Sequence, residues 1–203
     1  MGLRSWFGPS KEEIWRLLAT EIGAKFVEGG FAKGDKVVAT HGPWTVTLDT
    51  YAVSTGNTTM IFTRMRAPYV NPDGFRFAIH RKSMFTGFAK ALGMQDVEIG
   101  VDPFDEDFVI KGNDETKLRW LFADPELRRL VAAQKDIHLS VRDDDGWFGG
   151  RFPEGVDELH FSVAGVIKDL ERLKQLYDLF AITLDQLCKI GAAYENQPGV
   201  TVR

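Results

Sequence analysis

The chain has 203 residues, 44% hydrophobic and 27% charged, with 25 basic against 29 acidic side chains and a net charge of −4. That length suits one large domain or two small ones, with a core that needs no disulfide staple. Dispersed glycine and proline exclude collagen-like and low-complexity chains. No apolar run approaches the roughly 18 residues of a membrane span, and the acidic balance argues against nucleic acid as a partner.

The first six residues, Met1-Gly2-Leu3-Arg4-Ser5-Trp6, form no apolar signal segment, which leads us to expect a cytoplasmic protein. Ser10 followed by Glu13 is a capping box, and Ile14, Leu17, Leu18 and Ile22 then recur at helical spacing until Gly23. Strands are predicted at 25–28, 36–41, 44–54, 58–66 and 75–81, where apolar and polar residues alternate between turn residues. Short connections predict antiparallel neighbours, a meander. A short helix interrupted by Gly87 follows at 83–92, and the acidic stretch 94–106 divides the chain into halves at about residues 1–95 and 96–203.

In the second half a strand at 108–111 feeds a helix carrying Leu118, Leu121 and Phe122. Asp124-Pro125 restarts a second helix as N-cap and first helical residue. Strands at 137–141 and 159–163 flank the hairpin tip 143–150. Over 169–190, apolar residues at 170, 173, 177, 180, 184 and 187, widened by Leu176, Leu179 and Ile182, predict a long amphipathic helix. Its stripe suits packing across a sheet; a homo-oligomer formed through this helix is the alternative. The fold class is α+β: antiparallel meanders with a long C-terminal helix. Two divergent α+β sub-units, sharing one core or separate, would account for the order of elements.

No nucleophile elbow, P-loop or dinucleotide fingerprint is present, and no cofactor is implied. His80, His138 and His160 alternate with apolar neighbours, so they are expected on solvent-exposed strand faces rather than in a metal site. Asp143-Asp144-Asp145-Gly146 lacks the alternation of a calcium loop and reads as turn chemistry. Lys111-Gly112-Asn113-Asp114 runs from strand to helix, and Asp114 is expected to cap the amides that would otherwise meet an anion. Cys188 is expected to be a structural free thiol. Six basic residues between Arg64 and Lys90 precede an acid-rich stretch from Asp96 to Glu115, and the two are expected to neutralise each other.

Two sets of residues remain as functional candidates. The polar face of the first meander offers Asp49, Arg64, Arg76 and His80 to a small ligand. The hairpin tip offers Trp147, Phe148 and Phe152, either folded back over a core edge or meeting a protein partner. Phe104-x3-Phe108-Val109-Ile110-x3-Asp114-x3-Leu118-Arg119-x-Leu121-x3-Pro125-x-Leu127 resembles a pattern of uncharacterised bacterial proteins of unknown function. That resemblance spans roughly residues 104–127 and their flanks; it implies a bacterial cytoplasmic protein and supplies no activity. The expected function is a ligand-binding or protein-interaction module. A hydrolase with a site assembled from dispersed carboxylates and histidines is the alternative.

Overall fold

The computed structural model of the chain describes residues 8–30, 34–84, 94–143 and 152–200. The helix expected at 83–92, beyond Met84, and the hairpin tip with Trp147 and Phe148 lie outside the described residues.

Helix α1 (Lys11–Glu21) begins at the expected capping box, with the Ser10 hydroxyl accepting from the Glu13 amide at 3.1 Å and the Glu13 carboxylate accepting from the Ser10 amide at 2.7 Å. Strands β1 (Lys25–Val27), β2 (Lys36–His41), β3 (Trp44–Thr55) and β4 (Thr58–Val70) form the antiparallel meander. β4 runs four residues past its expected end and contains Pro68. The β3–β4 register stops at Arg66, so Pro68 has a strand on one side only and breaks no ladder on the other.

After β4 the chain departs from a simple meander. β5 (Phe77–Arg81) was expected beside β4, but β9 (Val156–Ala164) takes that edge, and β8 (His138–Arg142) lies between β9 and β5. The turn after β4 explains the swing. The Asn71 side-chain amide donates to the Phe75 carbonyl and to the buried Asp157 carboxylate of β9, while its own oxygen accepts from the Gly74 amide. These bonds tie the end of β4 to β9 and send the next strand away. With β7 (Phe108–Gly112) and β6 (Gln95–Asp96), the nine strands order as β1-β2-β3-β4-β9-β8-β5-β7-β6. Strands from both sequence halves therefore interleave in one antiparallel sheet.

Helix α2 (Asp102–Asp107), in the acidic stretch, has no counterpart in the sequence pattern. Pro103 lies in its first turn, and Phe104 packs 4.6 Å from Phe108. Helices α3 (Glu115–Leu121) and α4 (Pro125–Ala133) start at Asp114 and Asp124, whose carboxylates accept from first-turn amides at 2.9–3.0 Å. Helix α5 (Leu170–Lys189) buries Leu173, Leu176, Tyr177, Leu179, Phe180, Leu184 and Leu187 within the chain's own core. No helix among the described residues is long and apolar enough to cross a membrane.

The register gives the sheet two chemically distinct faces. Leu48, Met65, Phe161, Leu139, Ile79 and Ile110 are successive partners across six strands, and none is more than 2% exposed. This row and the helices form the core. One residue further along, the same six strands present Thr47, Arg66, His160, Ser140, Ala78 and Lys111 on the opposite face.

Candidate functional site

That opposite face is polar, and its centre is buried. Arg66 is 1% exposed, Glu158 1%, Asp49 and His160 4% and Ser140 5%. Alternation along β4 and β9 puts Arg64 and Arg66, and Glu158, His160 and Ser162, opposite the core residues Met65, Leu159 and Phe161. Asp49 of β3 is the hub of the first half. Its Oδ1 and Oδ2 accept from Arg64 Nε and Nη2 at 2.8 and 2.9 Å, a bidentate pair, and Oδ2 also accepts from Arg66 Nη2 at 2.7 Å. The Arg64 guanidinium lies 4.9 Å over the Tyr51 ring, which fixes its plane.

Across β9 and β8, Arg142 Nε donates to the Ser140 hydroxyl at 3.1 Å and its Nη1 stands 3.4 Å from His160 Nε2. Glu158 is the cross-strand partner of Arg142. His160 Nδ1 is buried without a hydrogen-bond partner among the described residues. His138 and His80 are direct partners on β8 and β5, and His138 is diagonal to His160 across β8–β9.

All three imidazoles are held neutral. Burial, helped by Arg142 and His80, lowers His138 to about 4. Burial is also the main cause at His160, well below the usual histidine range, with Arg142, Arg64, His138 and Arg66 acting the same way. His80 is lowered by burial and Lys111 against the opposing pull of Asp96. The histidines thus occupy the face that alternation assigns them, but not as exposed side chains: His160 is buried, and His138 and His80 are half-buried. Alternation tells which side of a sheet a residue is on. It does not tell whether that side is covered, and β8 and β9 lie inside a nine-stranded sheet with arginines on both flanks.

The four expected ligand residues are not gathered in one place. Asp49 and Arg64 are in direct contact, whereas His80 lies four strands from Asp49, about 19 Å at the usual strand spacing. Arg76 stands at the entry to β5, where it donates to Asp157 at 3.3 Å and to Asp143 at 3.0 Å. Sequence reasoning passed over Arg66, Arg142, Ser140 and Glu158 as members of a site, and weighed His160 only as a metal ligand. The available signal was a charged or polar residue at every second place in Arg64-Met65-Arg66 and in Glu158-Leu159-His160-Phe161-Ser162. Of the partner-contact candidates, Phe152 is half-buried, and its amide donates to the Asp143 carbonyl at 3.3 Å.

The expected charge neutralisation takes different routes. Arg81 reaches Asp107 of the acidic stretch at 3.6 Å, while Arg64 and Arg66 turn to Asp49 and Arg76 to Asp157. Cys188 is half-buried, and its thiol is pushed up to about 11 by burial, then by Glu195 and Asp185, which makes it a poor nucleophile.

A groove of about 460 Å³ lies at the β6–β7 edge, lined by Lys82, Asp96, Glu98, Asp105, Glu115 and Arg119 among others. Three of its four acids already have structural work. Asp105 accepts from the amides of Ile99, Gly100 and Val101, Asp96 pairs with Lys111, and Glu115 with Arg119. The polar sheet face holds the more unusual chemistry, and we take it as the site.

No protein-family model and no curated protein matches the chain. Among solved structures the chain is similar to the mycobacterial trehalose monomycolate transport factor A, TtfA. The identity is 9% and the TM-score 0.42, over 85% of this chain and 95% of that one. A likeness at that level carries no implication for ligand or partner.

Proposed function

We propose that the chain is a binding module that holds a small oxyanion, a carboxylate or phosphate, on the polar face of its sheet. The observation that supports this reading is the burial of Arg66 to 1% exposure, together with Asp49, Glu158 and His160, on one face of three central strands. Burying such charges costs several kcal/mol per ion, and replacing a buried ionic group with apolar side chains of similar size is often neutral or stabilising. A face selected for stability alone would carry more residues like those on its other side.

The composition of the face fits an anion. The guanidinium groups of Arg64, Arg66 and Arg142 concentrate fixed positive charge on this face, which suits the oxygens of a carboxylate or phosphate. Each neutral imidazole offers one N–H donor without adding a charge, and the buried His160 Nδ1 has no hydrogen-bond partner among the described residues.

A thermal-shift panel tests this reading with inorganic phosphate, succinate and citrate against neutral polyols. An anion present at 100 times its dissociation constant adds about 2.7 kcal/mol, which raises the midpoint of a chain this size by roughly 5–11 °C. The shift should disappear in Arg66→Met. Equal responses to polyols and oxyanions, or an undiminished shift in Arg66→Met, would sink the proposal.

A further inference from the structure

The β3–β4 hairpin extends beyond the sheet as an arm. β2 pairs with β3 only as far as Leu48, so the outer edge of β3 over residues 51–55 meets no strand among the described residues. The arm itself is a regular ladder, from Tyr51 opposite Phe62 to Thr55 opposite Thr58. On one face the Tyr51 and Phe62 rings stack at 5.2 Å and Val53 pairs with Met60. Val53 is 40% exposed, Met60 47%, and Ile61, on the other face, 50%.

Charge is the feature that discriminates between occupants. Residues 50–63 contain no Asp, Glu, Lys or Arg, although at the chain's 27% a stretch of that length would hold about four. Exposed edge strands are ordinarily protected by charges, proline or bulges, and residues 51–55 have neither charge nor proline. Neutrality removes the repulsion that would otherwise oppose two identical edges. The hydroxyls on the arm's second face, where Ser54 and Thr59 hydrogen-bond at 3.0 Å, are ill-suited to burial in lipid.

We infer that this edge pairs with a second copy of the same chain, β3 against β3 in antiparallel register about a two-fold axis at Val53. In that register Val53 faces its own equivalent and Tyr51 faces Thr55. The two Tyr51–Phe62 and Val53–Met60 ladders then join into one apolar surface, an isologous contact. β-Strand addition supplies main-chain hydrogen bonds to both edges at once. This inference is independent of the anion site: either can fail while the other stands.

Sedimentation velocity over a range of concentrations tests it. The wild type should reach twice the monomer mass, and Val53→Lys should remain monomeric with an unchanged circular dichroism spectrum, because the position is exposed. Oxidation should cross-link Val53→Cys into a covalent dimer, whereas Ser54→Cys, which faces Ala52 of the other copy, should stay uncross-linked; both retain Cys188, so that thiol cannot account for a difference. A wild type that is monomeric at every concentration overturns the inference, as does a dimer unaffected by Val53→Lys. So does a cross-link at Ser54→Cys equal to that at Val53→Cys.

Discussion

Mild acid should destabilise this protein through the histidines of its polar face, and His138 sets the size of the effect. In the folded chain its imidazole is lowered to about 4 from an ordinary 6.5. Below pH 6.5 the unfolded chain therefore takes up a proton that the folded chain excludes. Stability present above pH 6.5 is lost as the pH falls, until the folded state itself protonates near pH 4. Each pH unit in that window is worth about 1.4 kcal/mol per histidine. Between pH 6.5 and 5 His138 alone removes about 2 kcal/mol, and His160, shifted in the same direction, adds to the loss. Ordinary carboxylates remain largely ionised above pH 5, so they do not mask the effect. The assay is urea denaturation at half-unit steps from pH 7 to 5, comparing wild type with His138→Gln. The variant should lose about 2 kcal/mol less than the wild type across the interval. Equal pH slopes in the two proteins would refute the claim that His138 is held neutral by its place on this face.

Other substitutions test the remaining contacts. Asp49→Asn removes the carboxylate that holds two largely buried guanidinium groups and should cost about 3–5 kcal/mol in denaturant unfolding; a cost below about 1 kcal/mol would mean that the arginines do not depend on it. In Gly112→Ala the new methyl group would stand 2.6 Å from Leu118 Cδ1 and 3.0 Å from the Arg76 carbonyl oxygen, a backbone atom with little room to move. The expected loss is about 1–3 kcal/mol, seen as a lower melting temperature. Asp124→Ala deletes the cap of α4 and the acceptor for Gln186 Nε2 at 2.6 Å; a loss of about 1–2 kcal/mol is expected, and an unchanged urea midpoint would contradict that role.

Local chemistry was legible in the sequence wherever it acts over a few residues. The Ser10–Glu13 box and the caps at Asp114 and Asp124 start helices where they were expected to. The apolar stripe of α5 packs inside the chain as its width implied. Strand order was not legible. The placement of β9 and β8 between β4 and β5 depends on contacts such as Asn71 with Asp157, 86 residues apart, and such pairings leave no local trace. The polar face was half legible. Alternation put Asp49 and His80 on it, and the face of Arg64 hung on a register the sequence does not fix; a charged strand residue is read by default as a solvated one, so Arg66 and Glu158 were passed over. Their burial follows from strand order, the part of the fold the sequence conceals.

The anion site is tested most directly by following the histidine side chains themselves. Long-range ¹H–¹⁵N spectra resolve the four imidazoles, and His41 serves as an internal control because it pairs with Asp185 at 2.8 Å, away from the polar face. On titration at pH 7 with whichever oxyanion raises the melting temperature, the nitrogen signals of His160 and His138 should shift saturably while those of His41 hold still. Saturable shifts at His41 with the other histidines unmoved would place the ligand elsewhere and contradict the account.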